Sequence, residues 1–395
     1  FGTLDVMHLH VWHTAPVAVL RAVDSRFRQL QSIHTVFTIH NLALQGVRPL
    51  GGDESSLAAW FPGLAYDLHQ LNDPRAPHCI NPMRAGINLC DKVHAVSPSY
   101  AREILLPSDL GQGYFGGESL EADLQRAANE GRLQGILNGC EYSGNAVEPL
   151  SLEILLAFCE EELLKWIARN PTVESTHLIA IRRLAKFSLS RRALIEKASS
   201  EIAPPPPFIV TSVGRLTEQK VLLLQQQMAD GQTAIDQLLD ALGEGGILIM
   251  LGSGNPELEQ FLTQVAARKA NFVFLKGYSE TLADDLYAGG DLFLMPSSFE
   301  PCGISQMLAM RAGQPCLVHG VGGLNDTVEG GKNGFSFTGN SLQNQAQNMI
   351  SCFEKALKLS QSKSTEWKKL SSAAADERFL WSDVANEYAR LLYQQ

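Results

Sequence analysis

The feature that most limits the fold of this chain is a series of short, continuously apolar segments that alternate with helical patterns. Each segment leads into a Gly-rich or polar turn. Uninterrupted apolar character over four to six residues is typical of strands that are buried on both faces. Alternation with helices then predicts doubly wound α/β domains. The predicted strands are Val36–Ile39, Lys92–Val96, Phe208–Val213, Ile247–Leu251, Phe272–Leu275, Leu292–Met295 and Pro315–Val318.

The region between the two groups of predicted strands has a helical composition. Residues 150–200 are rich in Leu, Glu, Arg and Lys, and they lead to a proline run at 204–207. Prolines cannot continue a helix, and four in a row make a stiff extended connector, for which a surface linker is the simplest interpretation. Near the end of the chain, Ser382 is a predicted N-cap for an amphipathic helix.

Composition narrows the possible partners. With 45% hydrophobic and 19% charged residues, the 395-residue chain can fill the cores of two or three domains. The net charge of −10 argues against a nucleic-acid-binding surface, and no apolar run approaches the roughly 18 residues of a membrane span. Seven scattered cysteines without a C-x-x-C pair indicate a reduced, cytoplasmic protein rather than a disulfide framework or a zinc site.

The segment Met295–Gln306 is the strongest local candidate for a binding loop. A buried strand is predicted to end where the segment begins, and the loop then carries Glu300 to the edge of the sheet. Pro301 suits the start of a helix, whose free N–H groups favour a phosphate, and Gly303 lets backbone approach a ligand. With Ser305 as a further donor, Glu300 would face the sugar of a nucleotide sugar. A helix-capping acid explains the loop alone equally well.

A second candidate, Gly214–Lys220, directly follows the predicted strand that ends at Val213. Arg215 and Lys220 leave the strand end where a pyrophosphate would lie. A diphosphate leaving group needs such cations, because negative charge grows on it as the glycosidic bond breaks. A solvated basic turn is the alternative, but two cations at one strand end of an acidic chain favour anion binding.

Glycine turns and histidines give weaker signals. Gly252–Gly254 and Gly320–Gly323 follow predicted strands, but neither has the G-x-G-x-x-G spacing of a dinucleotide site, and tight turns explain them equally well. His8 and His10 share one face of a strand. Without acids or cysteines beside them, packed or hydrogen-bonded roles are favoured over metal binding. His13, just past this strand, is the better site candidate.

Taken together, these segments resemble the bacterial glycogen synthase and plant starch synthase family, from about residue 5 to the end of the chain. Their shared order and spacing carry the resemblance more than any single segment does. The matching segments are Met7–Ala15, Phe37–Gly46, Ala95–Glu103, Gly135–Gly139, Gly214–Lys220, Ser298–Gln306 and Gly322–Val328.

The resemblance implies a GT-B fold, an α/β architecture in which two Rossmann-like domains face each other across a cleft. We therefore expect a partial acceptor-side domain over 1–135, a nucleotide-sugar-binding domain over 136–378, and a segment 379–395 whose helix crosses back to the first domain. The implied activity is that of a retaining glucosyltransferase, which adds glucose from ADP-glucose to the non-reducing end of an α-1,4-glucan. These two substrates are the implied partners, with neither nucleic acid nor membrane.

The resemblance also assigns roles to individual residues. The positions matching Arg215 and Lys220 bind the donor's phosphates, and the position matching Glu300 lies against the donor glucose, which His13 also approaches. Further positions hold sugar hydroxyls and phosphate, flank the nucleotide base, or lie near the donor at the inter-domain hinge. These donor-binding residues are Cys302, Gly303, Ile304, Ser305, Tyr278, Asn138 and Gly252.

In the family's favoured mechanism, the acceptor hydroxyl attacks on the face that the diphosphate leaves, through an oxocarbenium-like state. The diphosphate itself takes the acceptor's proton, so no second carboxylate is needed as a nucleophile, unlike in most retaining glycosidases. We expect neither a cofactor nor a metal, because Arg215, Lys220 and the helix N-terminus cover the phosphate charge.

The chain departs from the family pattern at several positions. The family reads D-W-H where this chain has Val11–His13, and an aromatic, a small polar residue and a glycine are replaced by Leu44, Val321 and Val221. The family's N-terminal K-x-G-G-L motif does not occur, and Phe1 has neither an initiator Met nor a signal-peptide layout. We therefore expect the first strands of a complete N-terminal domain to precede Phe1.

Two alternatives are compatible with these departures. A glucan- or nucleotide-binding homologue without catalysis would fit the absent motif. Another GT-B enzyme, such as a sugar-nucleotide epimerase or a sucrose-type synthase, is disfavoured by the F-E-P-C-G-I-S-Q loop. A glucan synthase is favoured by the intact residues Glu300, Arg215, Lys220 and His13.

Overall fold

The computed structural model describes residues 4–65, 67–142, 150–170, 172–197, 205–362 and 364–394. Within them the chain forms two α/β domains, each built on a parallel sheet. The predicted fold class is confirmed. The prediction succeeded because continuously apolar strands need cover on both faces. Residues 198–200 of the predicted helical region and Pro204 of the proline run lie outside the described residues.

The first domain contains a parallel sheet and a separate antiparallel strand pair. Its strands are β1 (Val6–His10), β2 (His34–Ile39), β3 (Arg48–Pro49), β4 (Cys79–Ile80), β5 (Lys92–Ala95) and β6 (Leu133–Gly135). The parallel strands lie in the order β1-β2-β5-β6, while β3 and β4 form the antiparallel pair. Every residue of β2 is buried, including the polar residues His34, Thr35 and Thr38.

Local sequence signals explain where the helices of this domain begin. Its α-helices are α1 (Val11–Val23), α2 (Leu57–Trp60), α3 (Pro82–Leu89), α4 (Pro98–Glu103) and α5 (Glu121–Asn129). The 3₁₀ helices span Ser25–Leu30, Leu68–Gln70 and Leu110–Gln112. Asn81 and Ser97 cap α3 and α4 by accepting a backbone N–H of the first turn, and each is followed by proline at the first helical position.

The second domain contains a larger parallel sheet. Its strands are β7 (Phe208–Val213), β8 (Gly246–Gly252), β9 (Phe272–Lys276), β10 (Leu292–Met295), β11 (Cys316–His319) and β12 (Gly334–Phe337). They lie in the order β12-β11-β10-β7-β8-β9, so the direction in which successive strands are added reverses between β7 and β10.

Helices cover both faces of this second sheet. The α-helices from residue 152 onward are α6 (Leu152–Arg169), α7 (Ser175–Lys197), α8 (Glu218–Val221), α9 (Ala234–Leu242), α10 (Pro256–Arg268), α11 (Glu280–Gly289), α12 (Ser305–Arg311), α13 (Gly322–Thr327), α14 (Leu342–Ser362), α15 (Ser364–Asp376) and α16 (Trp381–Leu391). On one face of the second sheet lie helices α9, α10 and α14, and on the other face lie helices α6, α7 and α11.

The strand predictions are confirmed, and their ends differ from the observed ends by at most two residues. The strands β6 and β12 were not predicted, because each is short and contains a glycine instead of a continuous apolar run. Buried aromatic side chains fill the second sheet where its prediction was clearest, and Phe272, Phe274 and Phe293 are fully buried.

The C-terminal helix α16 packs against the first sheet rather than the second. Val384 and Leu392 join Val36 and Ile136 in one small core. The prediction of Ser382 as its N-cap is wrong, because α16 begins one residue earlier and has no side-chain cap. Tertiary contacts fix the start of this helix. The boundaries 1–135, 136–378 and 379–395 stay predictions.

Candidate functional site

The reversal of strand order in the second sheet creates a crevice between two loops. In open parallel sheets, ligands bind at the carboxyl ends of the strands where the order reverses. The loop after β7 carries Gly214–Lys220, and the loop after β10 carries Pro296–Ile304. The topology therefore brings together the two segments that the sequence singled out separately.

A cavity of about 780 Å³ lies over this crevice and is lined by both domains. The first domain contributes residues that directly follow β2 and β5, together with Asn138, which lies three residues after β6. The second domain contributes residues at the ends of β7, β8, β9 and β10 and in the segments that follow these strands. Its lining includes His40, Asn41, Val96, Asn138, Gly214, Arg215, Gln219, Lys220, Gly252, Tyr278, Glu280, Tyr287, Glu300, Pro301, Cys302, Gly303, Ile304 and Ser305.

Glu300 is held on the wall of this cavity by an ion pair. Its side chain is buried, and one carboxylate oxygen contacts Nζ of Lys220 from the neighbouring loop. Gln219 donates to the carbonyl of Phe299 at 2.7 Å and lies 3.4 Å from the same Glu300 oxygen. A buried carboxylate needs such a partner, so Lys220 holds the Glu300 side chain in position.

Arg215 places a positive charge at the cavity. The side chain is exposed at the cavity, and it makes no ion pair with any residue that the structure describes. Lys220 is already paired with Glu300. An anionic ligand in the cavity would therefore gain most from Arg215, with Lys220 shared between the ligand and Glu300.

The loop from Pro301 to Ser305 differs from its sequence prediction in one respect. The helix was expected to start at Pro301, but α12 begins only at Ser305. Gly303 has a φ of 77°, a left-handed conformation that favours glycine and turns the chain before the helix. The extra turn leaves Ile304 exposed and places Ser305 on the cavity, beside the buried hydroxyl of Tyr287.

Cys302 and Asn138 meet where the two domains touch. Burial raises the pKa of the Cys302 thiol to about 12, and the thiol hydrogen-bonds to the backbone of Asn138. The sulfur is therefore a neutral thiol at physiological pH and not a nucleophile. These two residues contribute shape and inter-domain contact to the cavity wall.

Gly252 and Tyr278 lie on the opposite wall of the cavity. A Cβ atom on Gly252 would lie 2.1 Å from the carbonyl oxygen of Gly214, so only glycine allows these two strand ends to approach. Tyr278 is 75% exposed, and its hydroxyl donates to Glu280 at 2.7 Å. An exposed aromatic ring beside a cavity offers a stacking surface for a planar group.

His13 is not brought to this cavity. It lies in the first turn of α1, exposed to solvent and stacked on Trp12 at 3.6 Å, and it is not among the lining residues. The first domain reaches the cavity instead through His40 and Asn41, which directly follow β2. Val11, which starts α1, has a φ of 56°, a conformation that β-branched residues rarely adopt.

The histidines of β1 belong to a hydrogen-bonded chain. Nδ1 of His8 lies 2.8 Å from the Tyr393 hydroxyl, and its Nε2 lies 2.6 Å from the Thr38 hydroxyl, which lies 3.0 Å from Nδ1 of His94. Nε2 of His94 donates to the carbonyl of Ile136. Burial lowers the pKa of His8 to about 3 and of His94 to about 4, so both imidazoles are neutral at physiological pH. In a neutral His94, Nδ1 then accepts from the Thr38 hydroxyl, whose oxygen accepts from Nε2 of His8.

The second histidine of β1, His10, contacts His40, with Nδ1 and Nε2 3.0 Å apart. Among the residues that the structure describes, no three His, Cys, Asp or Glu side chains are arranged to hold a metal ion. In the same part of the chain, no helix is both long and apolar enough to cross a membrane.

Sequence reasoning missed several residues that hold the Glu300 loop. Besides Gln219, the hydroxyl of Ser97 donates to the carbonyl of Pro301 at 2.6 Å, and Gln306 donates to the carbonyls of Cys302 and Gly303. All three lie inside segments that carried the family resemblance. They are polar residues next to the expected ligand groups, which is the signal that could have identified them.

Two family models match this chain. The model described as the starch synthase catalytic domain matches residues 1–126, and the model of glycosyl transferases group 1 matches residues 195–369. Together they cover the second sheet, the strands β1, β2 and β5 of the first sheet, and the loops after β7 and β10.

Curated relatives match nearly the whole chain. A glycogen synthase from Streptococcus sanguinis is 34% identical over 401 residues, which cover 98% of this chain and 72% of the relative. A glycogen synthase from Desulfitobacterium hafniense is 33% identical over 392 residues, covering 97% of this chain and 70% of the relative.

Solved structures agree with the sequence matches. The catalytic domain of starch synthase IV from Arabidopsis thaliana, bound to ADP and acarbose, is similar with a TM-score of 0.69 and 26% identity, covering 98% of this chain and 72% of that one. A sucrose-phosphate synthase from Thermosynechococcus elongatus gives a TM-score of 0.53 at 16% identity, covering 98% of this chain and 72% of that one, a similarity of fold alone.

Proposed function

This chain belongs to the glycogen synthase and starch synthase family of hexosyltransferases, and from that premise we propose that it adds glucose from ADP-glucose to the non-reducing end of an α-1,4-glucan. The observation that carries the proposal is the Lys220–Glu300 pair, which lines the same cavity as Arg215 at the strand-order reversal. A starch synthase that is similar over 98% of this chain binds ADP, which supports an adenine nucleotide as the donor.

The proposed donor orientation follows from the charges around the cavity. The diphosphate lies by Arg215 and Lys220, with the backbone N–H groups at the start of α12 as further donors. Tyr278 flanks the base, and Glu300 lies against the glucose. The oxocarbenium-like centre at C1 is then stabilised by the carboxylate, while the cations stabilise the charge that grows on the leaving diphosphate.

In the proposed reaction, the bond between C1 and the diphosphate oxygen breaks as the acceptor hydroxyl bonds to C1 on the same face. The acceptor's proton passes to the leaving diphosphate, so the anomeric configuration is retained without a glycosyl-enzyme intermediate. The pairing of Glu300 with Lys220 supports this scheme, because a nucleophilic carboxylate would have to leave its ion pair to attack.

We further propose that transfer needs no metal, because Arg215 and Lys220 supply the positive charge that a divalent cation would bring. Removal of divalent cations with a chelator is expected to leave the rate unchanged, and a rate restored only by added Mg²⁺ or Mn²⁺ would contradict this. The seven cysteines are free thiols, which supports a reducing cytoplasmic compartment.

The test is incorporation of radiolabelled glucose into glycogen. We expect label from ADP-glucose in precipitable glycogen, released by an enzyme that cleaves α-1,4 linkages, and less label from UDP-glucose. No incorporation from either donor would refute the proposed function. Saturable ADP binding without any transfer would instead identify a nucleotide-binding homologue, an outcome compatible with the exposed position of His13.

A further inference from the structure

Two side chains of the first domain reach across the cleft to the backbone that carries Glu300. Both belong to the α4 region. The Ser97 hydroxyl, which also caps α4, donates to the carbonyl of Pro301 at 2.6 Å. At the other end of α4, a carboxylate oxygen of Glu103 accepts the backbone N–H of Gly322 at 2.8 Å. The first domain therefore holds the Glu300 loop at two separate points.

The Gly322 contact is tightly coupled to Glu300 itself. The N–H of Gly323 donates to the Glu300 carbonyl at 3.0 Å. A Cβ atom on Gly322 would lie 1.9 Å from that carbonyl oxygen, and one on Gly323 would lie 2.1 Å from the carbonyl oxygen of Cys302. Backbones in such close contact cannot slide independently, so a displacement of Gly322 also displaces Glu300.

We propose that Glu103 is a positioning residue for glucosyl transfer, which acts through Gly322 and Gly323 to hold Glu300 at the donor sugar. The inference rests on the proposed function, since it concerns the rate of that transfer. Glu103 touches neither the cavity nor the donor, and it contributes to catalysis only by fixing the backbone of the loop.

The surroundings of Glu103 show which property of its side chain matters. Burial raises the pKa of the Glu103 carboxyl to about 7. The nearby charge of Asp326 also raises this pKa, whereas the hydrogen bond from Gly322 and the charge of Arg102 lower it. Neutral and ionised forms are therefore both tolerated in this position at physiological pH. The essential property is an acceptor oxygen at the right distance from the Gly322 N–H, and not the negative charge.

Removal of Glu103 leaves other contacts between the domains in place. Asp326 of α13 accepts hydrogen bonds from the backbone N–H and the hydroxyl of Ser99, both at 2.7 Å. The side chain of Asn325 donates to the same hydroxyl at 3.0 Å. A Glu103 variant is thus expected to keep its domains docked while the loop position relaxes.

Three substitutions distinguish the acceptor role from a role of charge. Glu103→Ala removes the acceptor, Glu103→Asp keeps the charge but falls short of Gly322 by one methylene, and Glu103→Gln keeps the acceptor oxygen at its distance. We expect kcat to fall about 10-fold in the Ala and Asp variants, because a small misplacement of a catalytic group is costly. The Gln variant should stay within about 3-fold of wild type. Donor KM should change little in all three, and the exposed Glu54→Ala variant serves as the control.

Hydrogen exchange gives a second readout that does not depend on transfer. The amides of Gly322 and Gly323 should exchange faster in the Ala and Asp variants and at the wild-type rate in the Gln variant. Unchanged exchange and unchanged kcat in Glu103→Ala would overturn the proposal, as would an Asp variant that behaves like wild type beside a failing Gln variant. Failure of the proposed function shows up differently, as a wild-type protein that transfers no glucose while the exchange pattern persists.

Discussion

Two strand-to-helix junctions of this protein were predicted to approach the same sugar, and the structure treats them differently. In the second domain, the junction between β10 and α12 is tied down from several elements: Lys220 pairs with Glu300, and Ser97 holds Pro301. In the first domain, the junction between β1 and α1 leaves His13 exposed and away from the cavity. Similar local sequence signals thus lead to different positions relative to the cavity.

The position of each junction within its sheet explains this difference. The junction after β10 lies next to β7, where the strand order reverses and the crevice opens. In the first sheet, the residues after β2, β5 and β6 line the cavity, whereas β1 lies at the end of the described strand order. A residue type at the end of a strand is therefore informative only when the neighbouring strands are known.

The largest effect is expected from a substitution in the second-domain junction, between β10 and α12. Glu300→Ala removes the carboxylate that we propose lies against the donor sugar, and it leaves Lys220 without this ion-pair partner. We expect kcat to fall by about 100- to 1000-fold, the usual cost of a lost group that stabilises transition-state charge. Circular dichroism should show an intact fold. Glu218→Ala, an exposed acid on the adjacent loop, is the matched control. A Glu300→Ala enzyme with a near-normal rate would reduce this residue to a capping role.

The next effect concerns Arg215, which lines the same cavity. Arg215→Ala should raise the KM for the nucleotide sugar about 10-fold, because it removes the charge-assisted contact that we propose to the diphosphate. Initial rates over a range of donor concentrations measure this effect. Arg28→Ala, which removes an exposed cation of the first domain, should leave KM unchanged. Equal effects of the two substitutions would mean that Arg215 acts only through the net charge of the protein.

A third effect concerns two histidines of the first domain, His8 and His94, and the dependence of stability on pH. Burial lowers the pKa of His8 to about 3 and of His94 to about 4, whereas an unfolded histidine titrates near 6.5. Between these values the unfolded chain binds more protons than the folded one. The contribution of these two histidines to the free energy of unfolding is therefore fully present above about pH 6.5, and it is lost as the pH falls toward 4.

Thermal unfolding at pH 7.5 and pH 5 tests this expectation. The midpoint should be clearly lower at pH 5, and substitution of the exposed His69 by Gln should not alter that difference. A midpoint that is the same at both pH values would show that the chain from Tyr393 to Ile136 does not depend on neutral imidazoles.

The smallest effect is a gain in stability at the first-domain junction. Val11 adopts a φ of 56°, which costs a β-branched residue about 1–2 kcal/mol. Val11→Asn should therefore raise the free energy of unfolding by about 1 kcal/mol, since Asn tolerates this conformation. Chemical denaturation of both proteins measures the difference. A less stable Asn variant would indicate that packing of the Val11 side chain outweighs the strain of its backbone.

Much of this account could be read from the sequence, for identifiable reasons. Buried parallel strands are continuously apolar, and the segments at 208–213 and 292–295 were therefore predicted with their observed ends. The two loops that follow them were singled out because one carries two cations suited to a diphosphate, and the other carries Glu300 just before a predicted helix start. Their meeting across a cavity follows from the sheet order.

The remaining features depend on tertiary contacts that no local pattern contains. The helix start expected at Pro301 moves to Ser305, because the Pro301 carbonyl is held by Ser97 from the other domain. The start of α16 is set by docking on the first sheet instead of by Ser382. The close backbone contact between Gly322 and Glu300 could not be predicted from the sequence either, because only the fold brings these two residues together.

The most direct test of the central claim is titration of ADP into this protein and two variants by calorimetry. The account places the donor's diphosphate on the second-domain wall, so it predicts one saturable site in the wild type, about 10-fold weaker binding in Arg215→Ala, and unchanged binding in His13→Ala. Binding that is lost in His13→Ala and retained in Arg215→Ala would contradict the account.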